Sequence, residues 1–327
     1  MRGLQKRKTL GLLLILLFVV VFVFSGLLLV EQLRQPAYRA EVEPVERKTI
    51  VRDGVEYFPR QDQDIFLVIG TDVEGPVEAS GRQYNDGQAD SIFLLIFDKS
   101  AEEVRLLTLN RDSMVTMPAL DENGYPSGTY YGHLAQSHAF GSGLEDSCEN
   151  TRQTVSDLLG GIEIDHYVSF NLDAIALAND AVGGVTVMVT DDFSEVASEL
   201  PLGEVTLYGD MAETFVRGRK DVGDQQNTSR MERQKVYLES FLDELRASLN
   251  ESETFALNLY EEISPYMVTD CSVTVFSEIL SQYDDYALVE ILSPEGESVR
   301  GEQYMEFYLD EEALDELALR LFFAPKT

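Results

Sequence analysis

Positive charge is scarce in this 327-residue chain: 25 Lys and Arg stand against 58 Asp and Glu, a formal net charge of -33. An exterior so acidic argues against nucleic acid as a partner, because a phosphate backbone demands a basic face. It also disfavours lying flat on anionic lipid. Cysteine occurs only at Cys148 and Cys271, and the histidines His133, His138 and His166 show no zinc-ligand spacing. Repeats and low-complexity tracts are absent, so nothing points to a solenoid or a biased linker.

The few cations are not spread evenly. Six of the 25 fall in the segment VRGRKDVGDQQNTSRMERQK, Val216 to Lys235. Arg217 and Arg219 leave one predicted helix, Arg230 and Arg233 enter the next, and a polar loop separates them. Arginine presents a planar, permanently charged fork that matches phosphate oxygens, and against this acidic background the cluster reads as an anion site. On the second helix Arg230, Arg233 and Gln234 stand at i, i+3 and i+4, one face at an N-terminus where the backbone dipole also favours anions.

Residues 10–30 form a nearly unbroken apolar run without charge, long enough at about 1.5 Å per residue to cross a bilayer core of about 30 Å. Arg2, Lys6, Arg7 and Lys8 precede it, so the positive-inside rule predicts residues 1–9 in the cytoplasm and the remainder outside. A cleaved signal peptide is the alternative, but no small-x-small site follows the run. Charge-rich residues 31–62 with scattered Pro predict a stalk, and residues 63–327 are long enough for one large globular domain. An extracytoplasmic setting permits a Cys148–Cys271 disulfide, which is the expectation; two buried free thiols are the alternative.

Along the domain, DIFLVIG, DSIFLLIFD and VRLLTL read as buried strands, the last two joined as a hairpin. A helix over 144–159, a strand over 166–170, a helix over 171–182 capped by Asn171 and a strand over 184–189 follow. Helices over 209–216, from 229 onward, over 273–283 and over 310–322, with a strand over 286–291, complete the pattern. Strands alternate with helices, which predicts a layered α/β domain with a largely buried sheet.

Three carboxylates stand beside strand ends: Asp72 after DIFLVIG, Asp90 before SIFLLIF, and Asp112 after Arg111. Buried strands that give way to loops commonly place ligand-binding residues there, although a lone Asp at such a point more often makes a turn. In order, IGTD, QADSIFLLIFD, LTLNRDSMV, SHAFGSG, GIEIDHYVSFN with DAVGGV, and VRGRKDVGDQQNTSRMERQ together resemble the motifs of the LytR-CpsA-Psr cell-wall ligases. The resemblance spans residues 64–245, and its strength lies in six motifs in the right order, since each alone is weak.

That resemblance implies a central mixed β-sheet sandwiched between α-helices, with an apolar pocket for a polyprenyl chain. It implies a membrane-anchored phosphotransferase moving a glycopolymer, such as a teichoic acid or capsule, from a polyprenyl-pyrophosphate carrier to a peptidoglycan hydroxyl. By the same resemblance, Asp72 and Asp90 hold Mg²⁺, Arg111, Arg217, Arg219, Arg230 and Gln234 bind the pyrophosphate, and Asp90, Arg111, Arg217 and Arg219 form the catalytic set. Arg233 supports the helix start. Phosphoryl transfer is largely positioning and charge neutralisation, which such a set supplies.

Two positions depart from the family pattern. Gln88 stands where an Arg is usual, and Asn227 where an acid is usual, so Asp224 or Asp112 is the candidate base. The loop with Tyr84, Asn85 and Asp86 reads as variable surface, with a shaped site entrance as the alternative, and Phe93, Leu95, Leu107, Val168 and Phe170 fit either core or pocket lining, core being the safer reading. A non-catalytic polyprenyl-phosphate binder and a lipid pyrophosphatase are the rival functions, since both use the same charges.

Overall fold

The computed structural model describes residues 49–326 apart from 82–83, 86, 122–124, 219–220, 224–226, 253–254 and 272–285. The apolar run at 10–30 lies outside the described residues, and no helix among them is long and apolar enough to cross a membrane. Within the stretch read as a stalk, residues 50–52 and 55–59 form strands. β1 (Ile50–Arg52) pairs antiparallel with β2 (Val55–Pro59), and β2 pairs with the C-terminal β15 (Phe323–Pro325), so this segment is sewn to the end of the domain.

β3 (Gln63–Thr71), β4 (Ala89–Asp98) and β5 (Glu103–Leu109) run antiparallel in succession, as the apolar runs predicted. A hairpin of β6 (Met114–Leu120) and β7 (Pro126–His133) follows, then α1 (Gln136–Ala139) and α2 (Glu145–Leu158). β8 (His166–Phe170) returns parallel to β3 and leads into α3 (Leu172–Ala181). β9 (Val185–Val189) and β10 (Gly203–Leu207) make a ribbon before α4 (Asp210–Arg217), α5 (Asn227–Glu251) and α6 (Phe255–Ile263). β11 (Met267–Thr269) lies antiparallel beside β8, and β12 (Ala287–Leu292) parallel beside β5. The hairpin β13 (Gly296–Arg300) and β14 (Met305–Leu309) and the helix α7 (Glu311–Phe322) end the fold. The central sheet is therefore six-stranded and mixed, in the order β11-β8-β3-β4-β5-β12.

Alternation along the strands divides the core in two. Phe66, Val68, Leu95, Phe97, Val168 and Phe170 face a cluster completed by α3, α4, α5 and α6, whereas Ile65, Leu67, Ile69, Leu94, Ile96 and Tyr167 face one completed by α2 and α7. Both faces are covered, which is why β3 and β4 read as continuous apolar runs. Local signals held at the helix ends: Asn171 Oδ1 accepts from Ala174 N at 3.4 Å and Asp310 Oδ1 from Ala313 N at 3.0 Å. Gly141, in the SHAFGSG turn, has φ +118°, and a Cβ there would meet Ser147 Oγ at 2.6 Å, so that turn requires glycine.

Other features differ from the sequence reading. α5 begins at Asn227, two residues before the expected start, and the helix expected at 273–283 lies outside the described residues. The β6–β7 hairpin was not foreseen because β7 is exposed along nearly its whole length and shows no apolar alternation. The expected disulfide is corrected: Cys148 and Cys271 are both free. Cys148 packs in the cluster below one face of the sheet and Cys271 against the cluster on the other, so the two sulfurs are kept apart. Burial pushes the Cys148 thiol well up, and burial together with Asp270 pushes Cys271 up to about 12.

Candidate active site

The ladder between β3 and β4 slips at one point: Gly70 pairs with Ser91, but Thr71 pairs with Ala89. Asp90 is the extra residue, and a bulge of this kind re-aims a side chain beside a functional site. Its carboxylate is directed at two arginines. Arg111, just past β5, makes a close ionic contact with Asp90 Oδ1, and Arg230 Nη1, on the first turn of α5, lies 3.6 Å from Asp90 Oδ2. Arg230 also donates from Nη2 to the Asp90 main-chain oxygen at 3.3 Å.

The Gln88 departure has a structural use. Arg111 Nη2 donates to Gln88 Oε1 at 2.6 Å, so the neutral amide steers a guanidinium where a second cation would repel it. Asp72 Oδ1 accepts from Gln88 N at 2.7 Å, which folds this carboxylate back over the same strand end. Asp112 is buried, with its Oδ1 3.7 Å from Arg111 Nε. The structure thus gathers Asp72, Gln88, Asp90, Arg111, Asp112 and Arg230. Arg219 and Asp224 lie outside the described residues.

The remaining members of the cationic cluster separate by role. Arg217 ends α4 with its side chain 43% exposed and bonds Glu213 Oε1 from Nη1 at 2.9 Å. Gln234 Nε2 donates to the Val216 oxygen at 3.2 Å. Arg233 is buried, donates from Nε to the Phe215 oxygen at 3.1 Å, also contacts Asp191 and the Gly218 oxygen, and lies over the Phe193 ring. It ties the helix start to α4, as its sequence position suggested.

Beside these charges opens an apolar cavity of about 100 Å³. Gly70, Asp90, Arg217 and Gln234 stand among its lining residues, and Phe93, Phe170, Ile175, Leu238 and Phe241 form much of its wall. Phe93 and Phe170 therefore do more than fill the core, whereas Leu95, Leu107 and Val168 are core residues only. The sequence reading missed Met231, Lys235 and Leu238 as lining residues. The signal was present in the i, i+4, i+7 spacing of one α5 face, but such a stripe looks the same whether it lines a core or a cavity.

Part of the loop between β3 and β4, read as surface, is buried. Asn85 is buried and donates from Nδ2 to the main-chain oxygens of His138 at 2.9 Å and Ala139 at 3.1 Å. His138 beneath it is fully buried, which pushes its imidazole pKa down, and its Nδ1 faces the Gly87 oxygen at 3.1 Å. Both residues brace the strand end that carries Asp90.

Guanidinium groups gathered around a carboxylate that lines an apolar cavity suit an amphiphile with an anionic head. A family model described as the LytR_cpsA_psr family matches residues 36–322. The polyisoprenyl-teichoic acid–peptidoglycan teichoic acid transferase TagU of Halalkalibacterium halodurans is 27% identical over 262 residues, covering 79% of this chain and 78% of that protein. The TagU of Oceanobacillus iheyensis is 24% identical over 306 residues, covering 90% and 87%. The crystal structure of protein gbs0355 from Streptococcus agalactiae shares the fold, with a TM-score of 0.64 at 21% identity over 80% of this chain and 86% of that one.

Proposed function

The chain belongs to the LytR_cpsA_psr family, and from that premise we propose that it transfers a glycopolymer from a polyprenyl-pyrophosphate carrier to a hydroxyl of peptidoglycan. The observation that carries this reading is the junction itself: Asp90, Arg111 and Arg230 converge where the apolar cavity begins. The names of the relatives as teichoic acid transferases support the same reaction class. The reaction would take place outside the membrane, with residues 10–30 as the anchor and 1–9 inside, in keeping with the flanking cations.

In this proposal the acceptor hydroxyl oxygen attacks the phosphorus attached to the sugar. The new P–O bond forms as the bond to the bridging oxygen breaks, polyprenyl phosphate departs, and the hydroxyl proton passes to a base. Arg111, Arg230 and Arg217 balance the charge that spreads over the phosphoryl oxygens, with Arg219 in the same role by resemblance. Gln234 holds the α4 end at the slot mouth. Asp112, buried beside Arg111, is the described candidate for the base, and Asp224 is the other.

Mg²⁺ forms part of the proposal. Asp72 and Asp90 leave neighbouring strand ends and offer hard carboxylate oxygens, the donor chemistry that Mg²⁺ takes. When bound, the ion would supply charge neutralisation at the pyrophosphate.

The test is transfer of a labelled glycan from a polyprenyl-pyrophosphate donor to peptidoglycan oligomers by the full chain with Mg²⁺. Acceptor-dependent product that disappears with EDTA supports the proposal. Glycan phosphate released without acceptor would assign a pyrophosphatase, and retention of the lipid without turnover would assign a binder.

A further inference from the structure

We propose a second, independent cation site at the edge of the central sheet, formed by His166, Asp270 and Cys271 and suited to Zn²⁺ or a similar borderline-soft divalent ion. His166 opens β8, and Asp270 and Cys271 follow directly on β11, the short edge strand paired to it. One ligand atom from each of the three lies within 4.8 Å of the others. His166 Nδ1 is 3.5 Å from Asp270 Oδ1, close to the span between two ligands that each sit roughly 2.0–2.1 Å from one tetrahedral ion. That Nδ1 is buried and makes no hydrogen bond.

The surroundings already orient the three groups. Asp270 Oδ1 accepts from Tyr167 N at 2.9 Å, the His166 ring packs against Phe66, and Cys271 N donates to Thr269 Oγ1 at 3.2 Å. Outer partners of this kind hold ligands in place and sharpen affinity. Arg152 Nη1 lies 3.6 Å from Asp270 Oδ2, and Glu149 pairs with Arg152 in turn. One cation against two carboxylates leaves the neighbourhood net negative before the thiol is counted. His166 and Asp270 retain side-chain exposures of 23% and 24%, so an ion can enter from solvent.

Imidazole and sulfur donors select against Mg²⁺ and Ca²⁺, which take oxygen. This site therefore differs in kind from the carboxylates proposed for Mg²⁺. It is also remote from them: His166 pairs with Phe66, five residues before Thr71, roughly 16 Å along the strand at about 3.3 Å per residue. The ion would pin β11, a three-residue strand at the sheet edge, to β8. Its effect is on the stability of that edge, not on the transferred group.

The full chain, stripped with EDTA, is titrated with Co²⁺ and separately with Zn²⁺. One equivalent of Co²⁺ with a thiolate-to-metal absorption, and a rise in the thermal midpoint with Zn²⁺, are expected. Cys271→Ser should remove the absorption and His166→Gln should weaken uptake at least about tenfold, with Mg²⁺-supported transfer kept within about twofold in both. Zn²⁺ should also slow alkylation of Cys271 in the unaltered chain, read by mass mapping against Cys148, which keeps the test valid if a variant fails to fold. Absence of a thiolate band, or alkylation of Cys271 at an unchanged rate, would overturn the site, and neither result bears on the transferase reading.

Discussion

β4 carries an aspartate at each end, and each faces two arginines. Asp98 accepts from Arg60 Nη2 at 2.8 Å, Arg105 Nη1 at 3.3 Å, Ser100 Oγ at 2.7 Å, and the main-chain N–H groups of Ser100 and Ala101. Asp90 meets Arg111 and Arg230, and the group opens onto a cavity. The first cluster is closed and holds the chain together. The second is held in place by its two arginines but borders empty apolar space. Counting charges would rank the two alike; access to the cavity tells them apart.

The sharpest way to break this contrast is to remove each aspartate in turn. Asp90→Ala should lower glycan transfer by about 10²–10³, the scale of a lost electrostatic group in a reaction centre. Asp98→Ala should leave transfer within about twofold but cost about 1–3 kcal/mol in denaturant unfolding, because it removes the buried acceptor shared by Arg60, Arg105, Ser100 and Ala101. Equal losses of transfer in both variants would erase the distinction. Gln88→Leu tests the steering of Arg111, since loss of a charge-assisted hydrogen bond worth about 1.5–3 kcal/mol should slow transfer at least about tenfold with little change in stability.

Acid should loosen the closed cluster. The hydrogen bond from Arg60 holds Asp62 down at about 2 against its free value of 3.8. For Asp98, burial works against the charge, but the Ser100 and Ala101 hydrogen bonds and the Arg60 charge outweigh it and hold its pKa low as well. Both carboxylates therefore stabilise the fold above about pH 4, and that contribution is lost as the pH falls towards about 2. Thermal midpoints across this window should show a shallower fall in Asp62→Asn than in the unaltered chain. The smallest effect is expected from reductant. With both cysteines free, dithiothreitol should leave the midpoint within about 1 °C.

Much of the fold was legible because its causes are local. Apolar runs announced β3, β4 and β5, Asn171 and Asp310 announced helix starts, and Arg233 announced a structural tie. The exposed β7 and the hairpin partners at the C-terminal end carried no such pattern. At the site, Asp90, Arg111 and Arg230 were legible as types in order, but Gln88 as the orienting group for Arg111 was not. An amide beside a strand has many partners within reach, and only the register selects one.

The sequence by itself determined the acidic surface, the strand and helix content, and the order of motifs that marks the family, since composition, periodicity and capping depend on near neighbours along the chain. The tertiary structure alone decided that Asp90 is the bulged residue facing an arginine 140 positions away, that the two thiols stand on opposite faces of the sheet, and that His166 meets Asp270 and Cys271. Each of these depends on strand order and register. A shift of one residue turns a side chain to the other face of a sheet, and no local preference carries that information.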